Sequence, residues 1–208
     1  MSGPHTAVPD SYDHPDLPRC GWVPPGDRLY CWYHDTEWGF VERDPKRLWA
    51  KLVLDGQQAG LAWITILRKR DNFMAAYDGL DPDAVAEYGD ADRARLLDNP
   101  GIIRSRLKID SAIKNARAFQ RMRDEGIDFS EYLWSFVGGS PIVNAWERCS
   151  DAPVKSPESE AMSKALKKEG FSFVGPVILY AFMQAVGMVN DHSLHCHVRE
   201  DTLATRRL

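Results

Sequence analysis

The chain has 208 residues, 44% of them apolar, enough for one large domain or two small ones with a real core. No stretch approaches the ~20 apolar residues of a membrane-spanning helix, which excludes that class. The net charge of −4 argues against a partner drawn by overall charge, although the charge is unevenly spread.

Met1 to Arg19 is polar, with no hydrophobic run, and reads as no signal peptide. Residues 1–16 read as a loose tail, residues 17–200 as one domain and residues 201–208 as a second tail. His5 and His14 are read as incidental. The protein is expected to stay in the cytosol. There, Cys20, Cys31, Cys149 and Cys196 point to metal binding or burial rather than disulfides.

Helical signals dominate the body. Asp44-Pro45 gives an N-cap and a first-turn proline, after which Leu48, Leu52 and Val53 recur at helical spacing. Gly56 and Gly60 bracket a turn or a close approach. A second helix is predicted from Leu61 through Ile64 and Leu67, with Arg68-Lys69-Arg70 on its wet side. Asp81-Pro82 opens a short helix and Asp90 another, and Pro100-Gly101 is a break. Ile109, Ile113, Ala116 and Phe119 or Gln120 mark a long basic amphipathic helix. Ser130 starts one that ends at Gly138-Gly139, and residues 139–157 read as a loop. Ser156-Pro157 caps a helix that stops at Gly170, and Pro176 opens a last apolar helix. With no repeat and no strand ladder, the class is all-α, with eight to ten helices.

Gly101 to Arg123 carries seven basic residues against one acid, Asp110. Arg68-Lys69-Arg70 and Lys164, Lys167 and Lys168 are further basic spots. Local field steers a polyanion, but a solvated helix face reads the same way.

The stretch VNDHSLHCHVRE, residues 189–200, holds three histidines and a cysteine. His192 and Cys196 are four apart and on a helix would share a face. Thiolate with imidazole suits tetrahedral Zn²⁺. Cys20 and His34 supply a second half, so a Cys₂His₂ site of Cys20, His34, His192 and Cys196 would tie the two chain ends together. Four protein ligands leave no open position, which makes such a zinc structural. His195 and His197 are rival ligands, and the alternative is surface histidines with one buried thiol.

RCGWV (19–23), YHDTEWG (33–39), GQQAGLAWITILRKR (56–70), GIIRSRLKI (101–109), WSFV (134–137), SKALKKEGFSFVG (163–175) and VNDHSLHC (189–196) resemble, in order and spacing, the DNA-3-methyladenine glycosylase I family. The resemblance runs from about residue 19 to 196. It implies a helix-hairpin-helix DNA glycosylase bundle, a catalytic domain over residues 17–200, and a zinc ion held by the same four residues. It implies a monomer that flips 3-methyladenine out of alkylated double-stranded DNA and releases it hydrolytically, leaving an abasic site.

Alkylation at N3 makes the base a cation and a good leaving group. The enzyme's tasks are then to flip and recognise it. A pocket for a flat cation should be aromatic. The resemblance places Tyr30, Tyr33 and Trp63 in that pocket with Trp22 close by, and Trp38 and Trp49 are read as structural. A carboxylate should accept from the exocyclic amine. The family has Glu before its Gly-Gln-Gln-Ala-Gly run, whereas this chain has Asp55, one methylene shorter. Asp55 is taken as the recognition and catalytic acid; its alternative is a helix C-terminal residue, where the dipole disfavours an acid.

For DNA binding, the resemblance implies that Gln58 to Leu61, with Gly60, enters the gap left by the flipped base. Pro100 to Arg104, with Gly101 and Ile102, is the hairpin turn whose N–H groups hold a phosphate. Arg104, Arg106 and Lys108 add charge. No lysine falls in the pocket loop, which fits attack by water. A non-catalytic zinc-stabilised module for alkylated or distorted DNA is the competing reading, and a zinc hydrolase of small molecules is disfavoured by the filled ligand set.

Overall fold

Aspartate, serine and proline decide where the helices start. In a computed structural model describing residues 8–13 and 16–203, five helices are capped by side chains. Asp27 caps α1 (Arg28–Thr36), Asp44 caps α2 (Pro45–Gln58), Asp81 caps α5 (Pro82–Ala86), Asp128 caps α8 (Phe129–Ser135) and Ser156 caps α9 (Pro157–Lys168). Each accepts from a backbone N–H of the first turn, a bond whose loss costs about 1 kcal/mol. The remaining helices are α3 (Trp63–Leu67), α4 (Arg70–Ala76), α6 (Asp90–Asp98), α7 (Arg106–Asp124) and α10 (Pro176–Ala185). These ten helices among the described residues bear out the all-α class.

Four expectations are corrected. The helix predicted from Leu61 is two short helices that meet at Arg68 and Lys69, whereas Gly56 and Gly60 do mark a close approach and a turn, Gly56 inside α2 with a Cβ position 3.3 Å from Phe173 and Gly60 at φ +77°. Arg70 is not on a wet side: it is buried and forms a bidentate pair with Glu37 at 2.6 and 2.9 Å. Lys108 also turns inward, donating to the carbonyls of Gln57 and Ala59, each at 2.8 Å. His192 and Cys196 lie in irregular backbone on either side of the turn at 194–195, not on a helix.

Helix α1 was not foreseen. Its nine residues, RLYCWYHDT, lack an aliphatic stripe, so their period is carried by rings and polar groups. The loop over 139–157 contains β1 (Ile142–Val143), which pairs in parallel with β2 (Val189–Asn190) in the register Ile142 to Val189. Tyr12, Asp201 and Thr202, expected in tails, belong to ordered contacts. Tyr12 donates to Asp35 at 2.7 Å, Asp201 opens a short 3-10 turn, and Thr202 accepts from Asn190. His5, His14 and residues 204–208 lie outside the described residues.

The main core gathers α2, α5, α7, α8, α9 and α10 around Trp49, Phe73, Trp134 and Phe182, all essentially buried. Helix α7 turns Ile109, Ala112, Ile113, Ala116 and Phe119 inward, the i, i+3, i+4 stripe that its sequence announces. A smaller apolar cluster of Cys20, Tyr33, Trp38, Leu67, Ala185 and Cys196 packs with Trp22, Tyr30 and Trp63. This second cluster brings the two ends of the chain together beside the first turn of α3.

Candidate functional site

Helical spacing builds one wall of the site. Tyr30, Tyr33, His34 and Glu37 stand at i, i+3, i+4 and i+7 along α1 and its C-cap, and so share a face. Lys51, Asp55 and Gln58 do the same on α2. Trp63 opens α3. Tyr30, Tyr33, Lys51, Asp55, Gln58 and Trp63, with Trp22 and Trp38, line a cavity of about 880 Å³ bounded on its far side by the segment 147–154 and by α10. Tyr33 and Trp63 have ring centroids 5.5 Å apart, and Trp22 stands edge-on to Tyr30 at 5.5 Å and to Trp38 at 5.1 Å. Tyr30 Oη accepts from the Ile64 N–H at 3.1 Å, which leaves its own proton free to donate. Burial, reinforced by the nearby Asp55 charge, pushes the Tyr33 phenol far above its ordinary range and keeps it a neutral donor.

Asp55 is buried on this wall. Its Oδ1 takes a short bond from Lys51 Nζ, while its Oδ2 is buried with no hydrogen-bond partner. The Trp63 indole N–H is likewise buried and unpartnered. An orphaned carboxylate oxygen beside ring faces can accept from an amine-bearing aromatic ligand, because a buried acceptor left unpaired costs about 1–3 kcal/mol. Burial raises the Asp55 carboxyl against the pull of Lys51, and burial lowers the Lys51 amine against the pull of Asp55.

Lys51 was missed by the sequence reading, although its place four residues before Asp55 is the pairing distance on a helix. It enters the pocket from α2, not from the loop over residues 58–61. Its Nζ lies 4.2 Å from the Trp63 ring centroid. Asp191 was missed as well. It is buried next to His192 and gathers four donors, Asn144, Trp146, Tyr180 and Gln184, at 2.7 to 2.8 Å.

Cys20, His34, His192 and Cys196 are all buried, with ligand atoms within 4.8 Å of one another, a cluster that could hold a metal ion. His192 Nδ1 lies 3.4 Å from the Cys20 sulfur and 3.2 Å from the Cys196 sulfur, and His34 Nε2 lies 3.4 Å from Cys196. Bonds of about 2.3 Å to sulfur and 2.0 Å to nitrogen in a tetrahedron place neighbouring donors roughly 3.5 Å apart, so the residues fit. Each imidazole is oriented from behind, His34 by Asp35 at 2.8 Å and His192 by the Trp38 carbonyl at 3.2 Å, as metal-binding histidines are. Burial opposes a charge on Asp35, but bonds from His34, Arg19, Tyr12 and His197 hold it far below the usual carboxylate range. The Cys196 thiol is held far below its ordinary range, first by its contact with Cys20, whose own thiol is pushed up, and then by the two imidazoles. The rivals lie outside the quartet: His197 meets Asp35 at 3.0 Å, and His195 is exposed beside Glu147. The four cysteines are free of disulfides.

Gln58 ends α2 and lines the cavity. Gly60 follows at φ +77°, and Leu61 is partly exposed. In the turn before α7, Gly101 donates to Asn99 Oδ1 at 2.8 Å, and the Ile102 side chain is buried, so only its backbone is left for outward contacts. Arg104 and Arg106 are exposed, and Leu107, between Arg106 and Lys108, is 73% exposed. Two lysines lash these segments together. Lys69 donates to Pro100 and Gly101, and Lys108 donates to Gln57 and Ala59. Arg117, Arg121 and Arg123 are instead engaged with Ala86, Glu169 and Asp83. No helix among the described residues is long and apolar enough to cross a membrane.

The chain is similar to known proteins over nearly its whole length. A family model for methyladenine glycosylase matches residues 22–200. A DNA-3-methyladenine glycosylase 1 from Escherichia coli (strain K12) is 49% identical over 180 residues, 86% of this chain and 96% of that protein. A crystal structure of 3-methyladenine DNA glycosylase I superposes with a TM-score of 0.85 at 48% identity, covering 86% of this chain and 98% of that one. A second solved structure, of 3-methyladenine recognition by 3-methyladenine DNA glycosylase I from Staphylococcus aureus, gives 0.82 at 32% identity, covering 91% and 98%. By its sequence and by its fold, this chain belongs to the methyladenine glycosylase family.

Proposed function

We propose that this protein is a base-excision repair glycosylase that flips 3-methyladenine out of alkylated double-stranded DNA and hydrolyses its N-glycosidic bond, leaving an abasic site. The observation that carries the reading is the orphaned Asp55 oxygen on the wall of a ring-lined cavity. Flipping costs a few kcal/mol and is easiest at a damaged pair. The base stacks on Trp63 between Tyr33 and Trp22, and its exocyclic amine donates to Asp55 Oδ2. Tyr30 and the neutral Tyr33 phenol offer donors to its ring nitrogens. N3-methylation has already weakened the bond to the sugar, so departure of the base neutralises it and water attacks the sugar carbon. Asp55 acts by holding the leaving base and by placing negative charge near an oxocarbenium-like sugar.

Gln58, Gly60 and Leu61 fill the space that the base leaves. Gly101 and Ile102 offer backbone, and Arg104 and Arg106 offer charge, to the phosphates. Cys20, His34, His192 and Cys196 would hold one Zn²⁺, whose service is to clasp the chain ends and not to meet the substrate. The protein works as a monomer in the cytosol.

Base release from methylated DNA tests this. Wild type should liberate 3-methyladenine and leave abasic sites, and Asp55→Asn should lose most of the rate. A protein that shifts methylated duplex in a gel and liberates nothing is instead a non-catalytic module. Full release by Asp55→Asn removes Asp55 from its role.

A further inference from the structure

The base pocket already contains a lysine. Lys51 Nζ sits over the Trp63 ring at 4.2 Å and is bonded to Asp55 Oδ1. A ring face and a carboxylate are the two features that would recognise a flat, positively charged purine, and Lys51 engages both. We infer that Lys51 is a specificity-determining residue, a tethered cation that competes for the Trp63 face and the Asp55 carboxylate, so that a charged base enters only when the Lys51 ammonium yields its place. The inference rests on the base-pocket reading of the proposed function.

Charge accounting supports it. The groups facing Lys51 are Asp55 on its own helix, Glu37 at the cap of α1, Trp63 from α3 and Arg70 from α4. Glu37 and Arg70 are paired with each other at 2.6 Å and cancel. Lys51 and Asp55 also sum to zero, wherever their shared proton lies. With Asp55 alone the wall would carry one negative charge, the natural complement of a cationic base. With Lys51 in place that charge is spoken for, and a second cation over the same ring meets a like charge. A neutral purine loses less, because Asp55 Oδ2 still accepts its amine. Burial lowers the Lys51 amine, so rising pH removes the competitor sooner than it would on an exposed lysine.

Two probes that differ in charge and hardly in shape test this. One is 3-methyladenine, neutral at neutral to alkaline pH. The other is the 3,9-dimethyladeninium cation, whose N9 methyl stands in for the sugar carbon. Affinities are measured by tryptophan quenching for wild type, Lys51→Gln, Lys51→Met and Lys51→Arg. Removing the charge should tighten binding of the cation by at least about tenfold, with little change for the neutral base, while Lys51→Arg stays near wild type. In wild type the preference for the cation should rise with pH. Parallel changes for both probes, the mark of a merely steric role, overturn the inference. Should the charge-removing variants fail to fold, the wild-type pH series decides, and a flat preference overturns it. If folded wild type binds neither probe, the base-pocket reading itself falls and takes this inference with it.

Discussion

His192 donates from Nε2 to the Trp38 carbonyl at 3.2 Å, which turns its Nδ1 toward the sulfurs of Cys20 and Cys196. The carbonyl partner assigns that tautomer. Gly39, the next residue, has φ +86°, and a Cβ there would lie 2.5 Å from His192 Nε2. Gly39→Ala therefore strains the backbone by about 1–3 kcal/mol and displaces one imidazole of the cluster that could hold a metal ion. Metal content and melting temperature should both fall; an alanine variant with full metal and the wild-type melting curve contradicts this geometry.

Metal removal should unfold rather than merely inactivate. The four ligands come from opposite ends of the chain, so losing the ion releases residues near 20–38 from residues 192–198. Chelation, or Cys196→Ser, should lower stability by at least about 3 kcal/mol, with activity falling in step with the folded fraction. Thermal melts beside zinc analysis check it. A zinc-free protein that melts normally but releases no base would move the metal into the chemistry.

The buried pair Lys51 and Asp55 should be costly for the fold. Asp55→Asn leaves an ammonium without its counter-charge, and Lys51→Met leaves a carboxylate so; each should destabilise by roughly 2–4 kcal/mol. The double variant should recover most of that loss. Folding raises the Asp55 pKa, so its cost appears as pH rises through the shifted value. Folding lowers the Lys51 pKa, so its cost is relieved only as pH rises from the shifted value toward that of a free lysine. Between the two, both costs are present, and the double variant should show the flatter curve of stability against pH. Denaturant titrations across pH decide the matter, and additive single effects speak against a coupled pair.

Arg104 and Arg106 are exposed beside the turn that precedes α7. Replacing both by Ala should weaken binding to any duplex and make the plot of log affinity against log salt shallower by about 2, close to one unit per lost phosphate contact. Affinity for free 3-methyladenine should not move. Fluorescence anisotropy over a salt series reads the slope, and an unchanged slope removes these arginines from the DNA face.

Local signals proved sufficient for much of the scaffold. Asp44-Pro45, Asp81-Pro82 and Ser156-Pro157 open helices because a capping side chain and a fixed proline φ act within one turn, whatever lies beyond. The stripe of α7 was legible because aliphatic residues recur at helical spacing. Helix α1 was not, since Tyr30, Tyr33 and His34 spend their face on a pocket and a metal cluster, and no hydrophobic period remains to be read. His192 and Cys196 reach one another, but through turns rather than the helix their spacing suggested.

What residue order alone settled is therefore of short range: the helix starts and the inward stripe of α7, while among the cysteines and histidines it left His195 and His197 as rivals to the four that the fold gathers. What awaited the folded chain is the destination of long charged side chains. Arg70 and Lys108 read as surface charge, yet one meets Glu37 and the other the end of α2, and Lys51 drew no notice before it lay across Trp63. A flexible stem of several methylenes reaches either solvent or interior from the same backbone position. Which it takes depends on partners dozens of residues away, and helical spacing carries no record of them.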